Sequence, residues 1–280
     1  MKITNIIISA ILFLNIKLSA DTNEIIWLQN QRPPWMINSG EYKDQGYGDK
    51  IRKLFVSKLT NYTHKTIPIN FSRFLIELKK RDNVCYGPVA KMEPIASNFH
   101  WSEAVYYLPK PYIIVLNSTY EKMATPKELS MEELIQNQNY QFGKIVNLAH
   151  YPIDVEKYSS QKNITSVSTT APITSLLTML EKQRVDWIYD LPLFIKWHTS
   201  LKNTSDNFKT IKVTETKKLP LMAAYMACKK NEWGEKVIRE INKNINKKNI
   251  LKIRSFVRKW QLDGTNLKEY DELNYKMYGY

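Results

Sequence analysis

Glycine is scarce in this chain, with 8 residues in 280, and neither a low-complexity tract nor an internal repeat is visible. These absences argue against fibrous, disordered and solenoid classes. Histidine is scarcer still. His64, His100, His150 and His198 show no metal-ligand spacing, so no metal and no other cofactor is expected. No Ser-His-Asp, Cys-His or paired-carboxylate constellation can be recognised, and no residue is nominated as catalytic. Long apolar runs are missing too. Ile6 to Leu14 falls short of the roughly 20 residues that span a bilayer, and the run from Leu219 to Cys228 is only ten residues long. There are only 2 cysteines, Cys85 and Cys228, each in an apolar strand-like run and without a nearby histidine. In an oxidising compartment they would form one disulfide; two buried free thiols are the alternative.

What is present fits a soluble globular protein of one or two domains, with 43% hydrophobic and 24% charged residues. The N-terminus reads as an export signal. Lys2 supplies the positive charge, Ile6 to Leu14 the apolar segment, and Leu18-Ser19-Ala20 a cleavage site after Ala20. The formal charge of +14 is strongly basic. Its densest part, Lys229 to Lys259, has a helical pattern. Trp233, Val237, Ile238, Ile241 and Ile245 share one face, and Lys236, Lys243, Lys247 and Lys248 face solvent. A solvated basic face accounts for the charge, and export argues against a nucleic-acid partner.

Taken in order, Glu24 to Gln29 reads as a first strand that stops at the turn QRPPW. Gly46 to Lys50 leads into a helix with Ile51, Leu54, Phe55 and Leu59 on one side and Asp49 placed to cap it. Strands follow at Lys65 to Phe71 and Val84 to Gly87, separated by a helix that Ser72 caps. Strand, helix, strand, helix, strand with short connections is a parallel α/β unit. From Ala90 to Tyr107 the residues follow neither helical nor strand period, which predicts a polar loop. Such a loop after a buried strand forms one wall of a binding cleft, or else an ordinary surface connection. Tyr106 to Pro111 reads as a hinge into a second lobe. That lobe has strands at Tyr112 to Leu116, Gln141 to Asn147 and Val185 to Tyr189, and helices at Pro126 to Asn137 and Ala171 to Gln183. Leu219 to Cys228 reads as a strand returning to the first lobe, which two terminal helices close.

These features in this order resemble the bacterial extracellular solute-binding proteins of family 3, the polar amino-acid type. The resemblance rests on the exported start, Pro33-Pro34-Trp35 after the first strand, and Gly46-Tyr47-Gly48-Asp49 opening the first helix. It also rests on Trp101-Ser102-Glu103, on Arg184-Val185-Asp186 opening a strand, and on Trp233-Gly234 opening the penultimate helix. It implies an α/β, two-lobed type II periplasmic-binding-protein fold, the second lobe inserted in the first through two hinge crossings. The expected division is lobe 1 at 21–108 and 217–280 and lobe 2 at 109–216, after a signal peptide at 1–20.

The family's ligand chemistry carries over incompletely. Its Thr-x-x-Arg motif, whose arginine forks the ligand carboxylate, corresponds here to Met92-Glu93-Pro94-Ile95, and isoleucine cannot replace a guanidinium. The family's aspartate for the ligand amino group falls at Leu191, with Asp190 one residue early and able to face the other way. The family's positions nominate Trp35 and the loop residues Asn147, His150 and Tyr151 as ligand contacts; Arg73 and Lys91 are added as positive charge for an anionic ligand, Tyr86 as a neighbour of the loop after the third strand, and Asp190 as the acid one residue early. Each also has an ordinary core or surface reading.

The expectation is therefore a monomeric periplasmic protein, not an enzyme, that captures a small polar solute other than a standard α-amino acid. ABC-transporter membrane subunits or a membrane sensor are the implied partners. Two alternatives stand behind it. One is an enzyme resembling cyclohexadienyl dehydratase, with Glu93, Glu103 or Asp190 as the acid. The other is a basic envelope-associated interaction protein.

Overall fold

The computed structural model describes residues 23–69, 71–91, 96–146, 148, 151–169, 171–202 and 207–280. The expected signal peptide at 1–20 lies outside the described residues. The chain begins with β1 (Glu24–Asn30), α1 (Tyr47–Val56), β2 (Thr63–Ile69), α2 (Phe71–Lys80), β3 (Val84–Ala90) and β4 (Phe99–Leu108). It continues with β5 (Tyr112–Leu116), α3 (Asn117–Lys122), β6 (Glu128–Leu129), α4 (Met131–Gln136), β7 (Phe142–Ile145) and β8 (Ile164–Val167). Then come α5 (Pro172–Glu181), β9 (Trp187–Asp190), α6 (Leu193–Lys202) and β10 (Phe208–Val213). The last elements are β11 (Met222–Lys229), α7 (Glu232–Lys243), α8 (Lys247–Arg258) and α9 (Thr265–Tyr278).

These strands form two sheets, ordered β2-β1-β3-β11-β4 and β6-β10-β5-β9-β7-β8. The chain passes from the first sheet to the second after β4 and returns after β10, which makes an α/β protein of two lobes. In the first sheet β1 runs parallel to β2 and β3, and β11 runs antiparallel to β3 and β4. The interior strand β1 is apolar and buried on both faces from Ile25 to Leu28, as a strand covered by helices on both sides must be. At the edge, β2 contains Pro68, which has no N–H to give a further neighbour. Cys85 and Cys228 are register partners on β3 and β11 and are joined by a disulfide. Covalent pairing is thus the alternative the structure contains.

Three expectations need correction. The segment read as an aperiodic loop holds a ten-residue strand, Phe99–Leu108, paired with β11 along most of its length. Register shifts against β11 near Tyr225 break its in-out alternation, which hid the strand period. Trp101, Ser102 and Glu103 therefore lie on a strand. The helix expected over Pro126 to Asn137 is divided into β6 and the short α4, because Ser130 accepts from the Glu133 amide at 3.2 Å and starts the helix there. Three helices, not two, follow the return strand. On α7 the apolar stripe is buried at Val237, Ile238 and Ile241, and Lys236, Lys243, Lys247 and Lys248 are exposed as the pattern predicts.

The two crossings are tied together. Lys110, on the first, donates to the backbone carbonyls of Thr216 and, at 2.8 Å, Leu219 on the second. The Tyr112 hydroxyl and Lys212 both reach Glu269 on α9, the lysine at 2.7 Å. A cavity of about 240 Å³ lies behind these crossings, lined by Pro109, Lys110, Thr216, Leu221, Glu269 and Leu273 among others.

Candidate ligand-binding site

The turn after β1 is built before it meets the other lobe. Arg32 and Met36 pair across it, with the Met36 amide donating to the Arg32 carbonyl at 3.2 Å. The first amides of α1 have no partners inside their own helix, and they donate to this turn: Tyr47 to the Pro34 carbonyl at 2.9 Å, and Gly48 to the Trp35 carbonyl at 2.8 Å. Only glycine permits so close an approach. A Cβ at residue 46 would lie 2.3 Å from the Trp35 oxygen, and one at residue 48 would lie 2.5 Å from the Trp35 ring.

Asp49 then fixes the loop from within. Its fully buried carboxylate accepts from Gln29 Nε2 at 2.5 Å and from the Ile37 and Gly46 amides, each at 3.0 Å, with Arg52 3.6 Å away. It acts as a bracket for the whole segment between β1 and α1, a larger task than the helix cap expected from its position. Burial raises Asp49 to about 6, while the two amides and Arg52 oppose that rise.

From this fixed turn Arg32 reaches the second sheet. Its Nη2 donates to both carboxylate oxygens of Asp190, at 3.0 and 2.9 Å. The guanidinium carbon lies 4.8 Å from the centre of the Phe194 ring. Asp190 is the last residue of β9, 0% exposed, and also accepts from the Leu191 amide at 2.8 Å. Its side chain therefore faces the first lobe. The carboxylate that the second lobe offers is held by a cation from the first.

Aromatic rings pack beside the turn that carries Arg32. Trp35 meets Tyr86 edge to face at 6.0 Å between centres, and Tyr86 packs on Phe74 at 4.7 Å. Burial pushes the Tyr47, Tyr86 and Tyr151 hydroxyls well above the usual phenol range, with the Arg32 charge pulling each of them down. All three stay protonated and neutral at neutral pH. The Trp35 indole nitrogen is buried and has no hydrogen-bond partner among the described residues.

Of the residues nominated from sequence, Trp35, Tyr86, Tyr151 and Asp190 are brought to this region. Tyr151 accepts from the Ile145 amide at 2.9 Å and packs against Tyr189. Lys91 is exposed and goes elsewhere, over the rings of Tyr225 at 4.7 Å and Trp101 at 5.7 Å. Arg73 is exposed on α2. Asn147, His150 and the Met92-Glu93-Pro94-Ile95 tetrad lie outside the described residues. Sequence reading missed Arg32. The available signal was a lone arginine directly after the first strand, beside the Pro-Pro-Trp turn.

No family model and no curated protein sequence matches the chain. Solved structures do. An amino acid ABC transporter substrate-binding protein from Streptococcus pneumoniae, bound to L-arginine, aligns with a TM-score of 0.63 at 15% identity, over 85% of this chain and 93% of that one. A Streptococcus mutans structure, described with glutathione import via GshT and the cystine ABC importer TcyBC, gives 0.65 at 11% identity, over 85% and 95%. The BvgS VFT2 domain of Bordetella pertussis gives 0.61 at 11% identity, over 86% and 95%. The chain therefore has the two-lobed fold of the periplasmic binding proteins, and at these identities the likeness shows the fold alone. Among the described residues no helix is long and apolar enough to cross a membrane.

Proposed function

We propose that this chain is an exported, periplasmic solute-binding protein that holds a small polar ligand between its lobes and presents it to a transporter or a membrane sensor. In this reading lobe 1 is 21–108 with 217–280, lobe 2 is 109–216, and a signal peptide at 1–20 is removed after Ala20. The fold supports a binding role, since the neighbours with this architecture include substrate-binding proteins of amino acid ABC transporters. One observation carries the choice of ligand: Asp190, the buried acid of the second lobe, is already paired with Arg32. An α-ammonium group has no free counter-ion there. The sequence also has isoleucine where the family's carboxylate-forking arginine would stand. The solute is thus one other than a standard α-amino acid. It rests on Trp35 and Tyr86, with Tyr151 on the opposite wall and Asn147 and His150 as further proposed contacts.

The test is a thermal-shift screen of the chain from Asp21 onwards against amino acids, short peptides, organic acids, sugars and cell-wall fragments. A ligand at 100 times its dissociation constant adds about 2.7 kcal/mol. A stabilising solute outside the α-amino acids, lost on Trp35→Ala, supports the proposal. Stabilisation by ordinary α-amino acids refutes the ligand class, and silence across the panel counts against the receptor itself.

A further inference from the structure

The pairing of Arg32 with Asp190 points beyond ligand choice to how the cleft closes. The two residues belong to different lobes and are 158 positions apart, yet Arg32 meets both oxygens of a carboxylate that is sealed from solvent. A carboxylate buried without a cation would be strongly disfavoured, so the closed arrangement needs a positive charge at this spot. In a receptor that closes on its solute, the solute can supply such a charge. Here the chain supplies it, on a turn that Asp49 and the α1 amides hold in place. The lobes also meet at a second seam, where Trp197 of α6 packs on Tyr42 at 5.6 Å and on Trp260 at 5.4 Å between ring centres. Lys196 donates to the Gln261 carbonyl at 3.0 Å in the same place.

We infer that Arg32 is a built-in cation that closes the lobes over Asp190 in the absence of solute. The inference rests on the solute-binding reading, and it adds that an external guanidinium compound can take the place of Arg32 on Asp190. It follows that the ligand-free protein is closed, and that opening exposes an acid able to bind an external cation. A clasp that is shut in about 99 of 100 molecules weakens any competitor for Asp190 about 100-fold.

The experiment compares ligand-free protein by small-angle X-ray scattering and by distance measurements between labels on the two lobes. The samples are wild type, Arg32→Ala, Asp190→Asn and Arg32→Lys, with circular dichroism to establish that each is folded. Wild type should be compact without any addition, and both Arg32→Ala and Asp190→Asn should be expanded. Millimolar methylguanidinium should re-close Arg32→Ala but not Asp190→Asn. It should bind Arg32→Ala on the order of 100-fold more tightly than wild type. Arg32→Lys keeps the charge without the planar fork and should fall between wild type and alanine. The inference is overturned if wild type is already open, if Arg32→Ala stays as compact as wild type, or if methylguanidinium neither binds nor re-closes that variant. None of these readings uses the receptor's own solute. Failure of the solute screen on wild type and on Arg32→Ala would therefore refute the receptor reading and leave the clasp standing, whereas a solute hit on an open wild type would do the reverse.

Discussion

Asp49 and Asp190 are both 0% exposed, lie near the same cleft, and do different work. Asp49 takes its partners from its own lobe: two backbone amides, a glutamine side chain and Arg52. Its environment exists whenever that lobe is folded. Asp190 accepts locally from the Leu191 amide, and depends for its cation on a residue of the other lobe. Its burial therefore depends on how the lobes are arranged as well as on folding. The difference teaches that equal burial does not mean equal contribution to stability. A carboxylate held within one lobe stabilises the fold, and one completed across two lobes sets their relative position.

The strongest way to break this contrast is to remove each carboxylate in turn. Asp49→Ala leaves the Gln29 side chain and two amides without their acceptor, removes the carboxylate beside Arg52, and should cost about 3–5 kcal/mol in urea denaturation. Asp190→Ala should cost under about 1 kcal/mol on the same curve, because Arg32 is a quarter exposed and regains water as the lobes part. Equal losses would abolish the distinction. Next in size is the disulfide between Cys85 and Cys228, which closes 143 residues of sequence and locks β3 to β11 in the lobe that contains Asp49. Cys85→Ser with Cys228→Ser, or reduction, should lower unfolding stability by about 2–5 kcal/mol. Under the clasp, ligand-free compactness below the transition should be unaffected, so an opened double mutant would show that the lobe walls are less independent than described. A smaller effect is expected at Gly46, where an added Cβ meets the backbone oxygen of Trp35. Gly46→Ala should cost about 1–3 kcal/mol and displace the turn that carries both Trp35 and Arg32. It should also loosen closure, which separates it from a lesion of the core.

The smallest effects are in pH. Asp49 is raised by burial from 3.8 to about 6, so the folded chain binds its proton more tightly than the unfolded one. The stability from that difference is present below pH 3.8 and lost as pH rises towards 6. Burial lowers His198 below its usual 6.5, although Glu181 at 3.1 Å pulls it upwards. The unfolded histidine then takes up a proton first, and stability is lost as pH falls below 6.5. Urea midpoints measured from about pH 4 to 8 should lose the first slope in Asp49→Asn and the second in His198→Gln. A variant that keeps its slope assigns the titration to another group.

Much of the architecture could be read along the chain, for local reasons. β1 and β5 are continuous apolar runs, α1 and α7 present apolar residues at helical spacing, and the two cysteines occur in strand-like segments that turn out to be neighbours. β4 was not legible, because its alternation depends on bulged pairing with β11, which lies far along the chain. The split of the Pro126 to Asn137 segment depends on β6 finding β10. For the site, the nominations of Trp35, Tyr86, Tyr151 and Asp190 all arrive in one region, but the ion pair of Arg32 with Asp190 was half missed. An arginine in a turn reads as a solvated side chain until the fold brings a buried acid within its reach.

The amino-acid order by itself determined the apolar periods, since these depend on residues near one another along the chain, whereas the helix starts at Phe71 and Met131 differ from those expected at Ser72 and Pro126. Tertiary structure alone decided which charge meets which. Arg32 and Asp190 are joined only when two sheets, built from separate stretches of chain, face each other across a cleft from which water is excluded. In that low-dielectric space a carboxylate needs a cation, and the one that reaches it belongs to the opposite lobe.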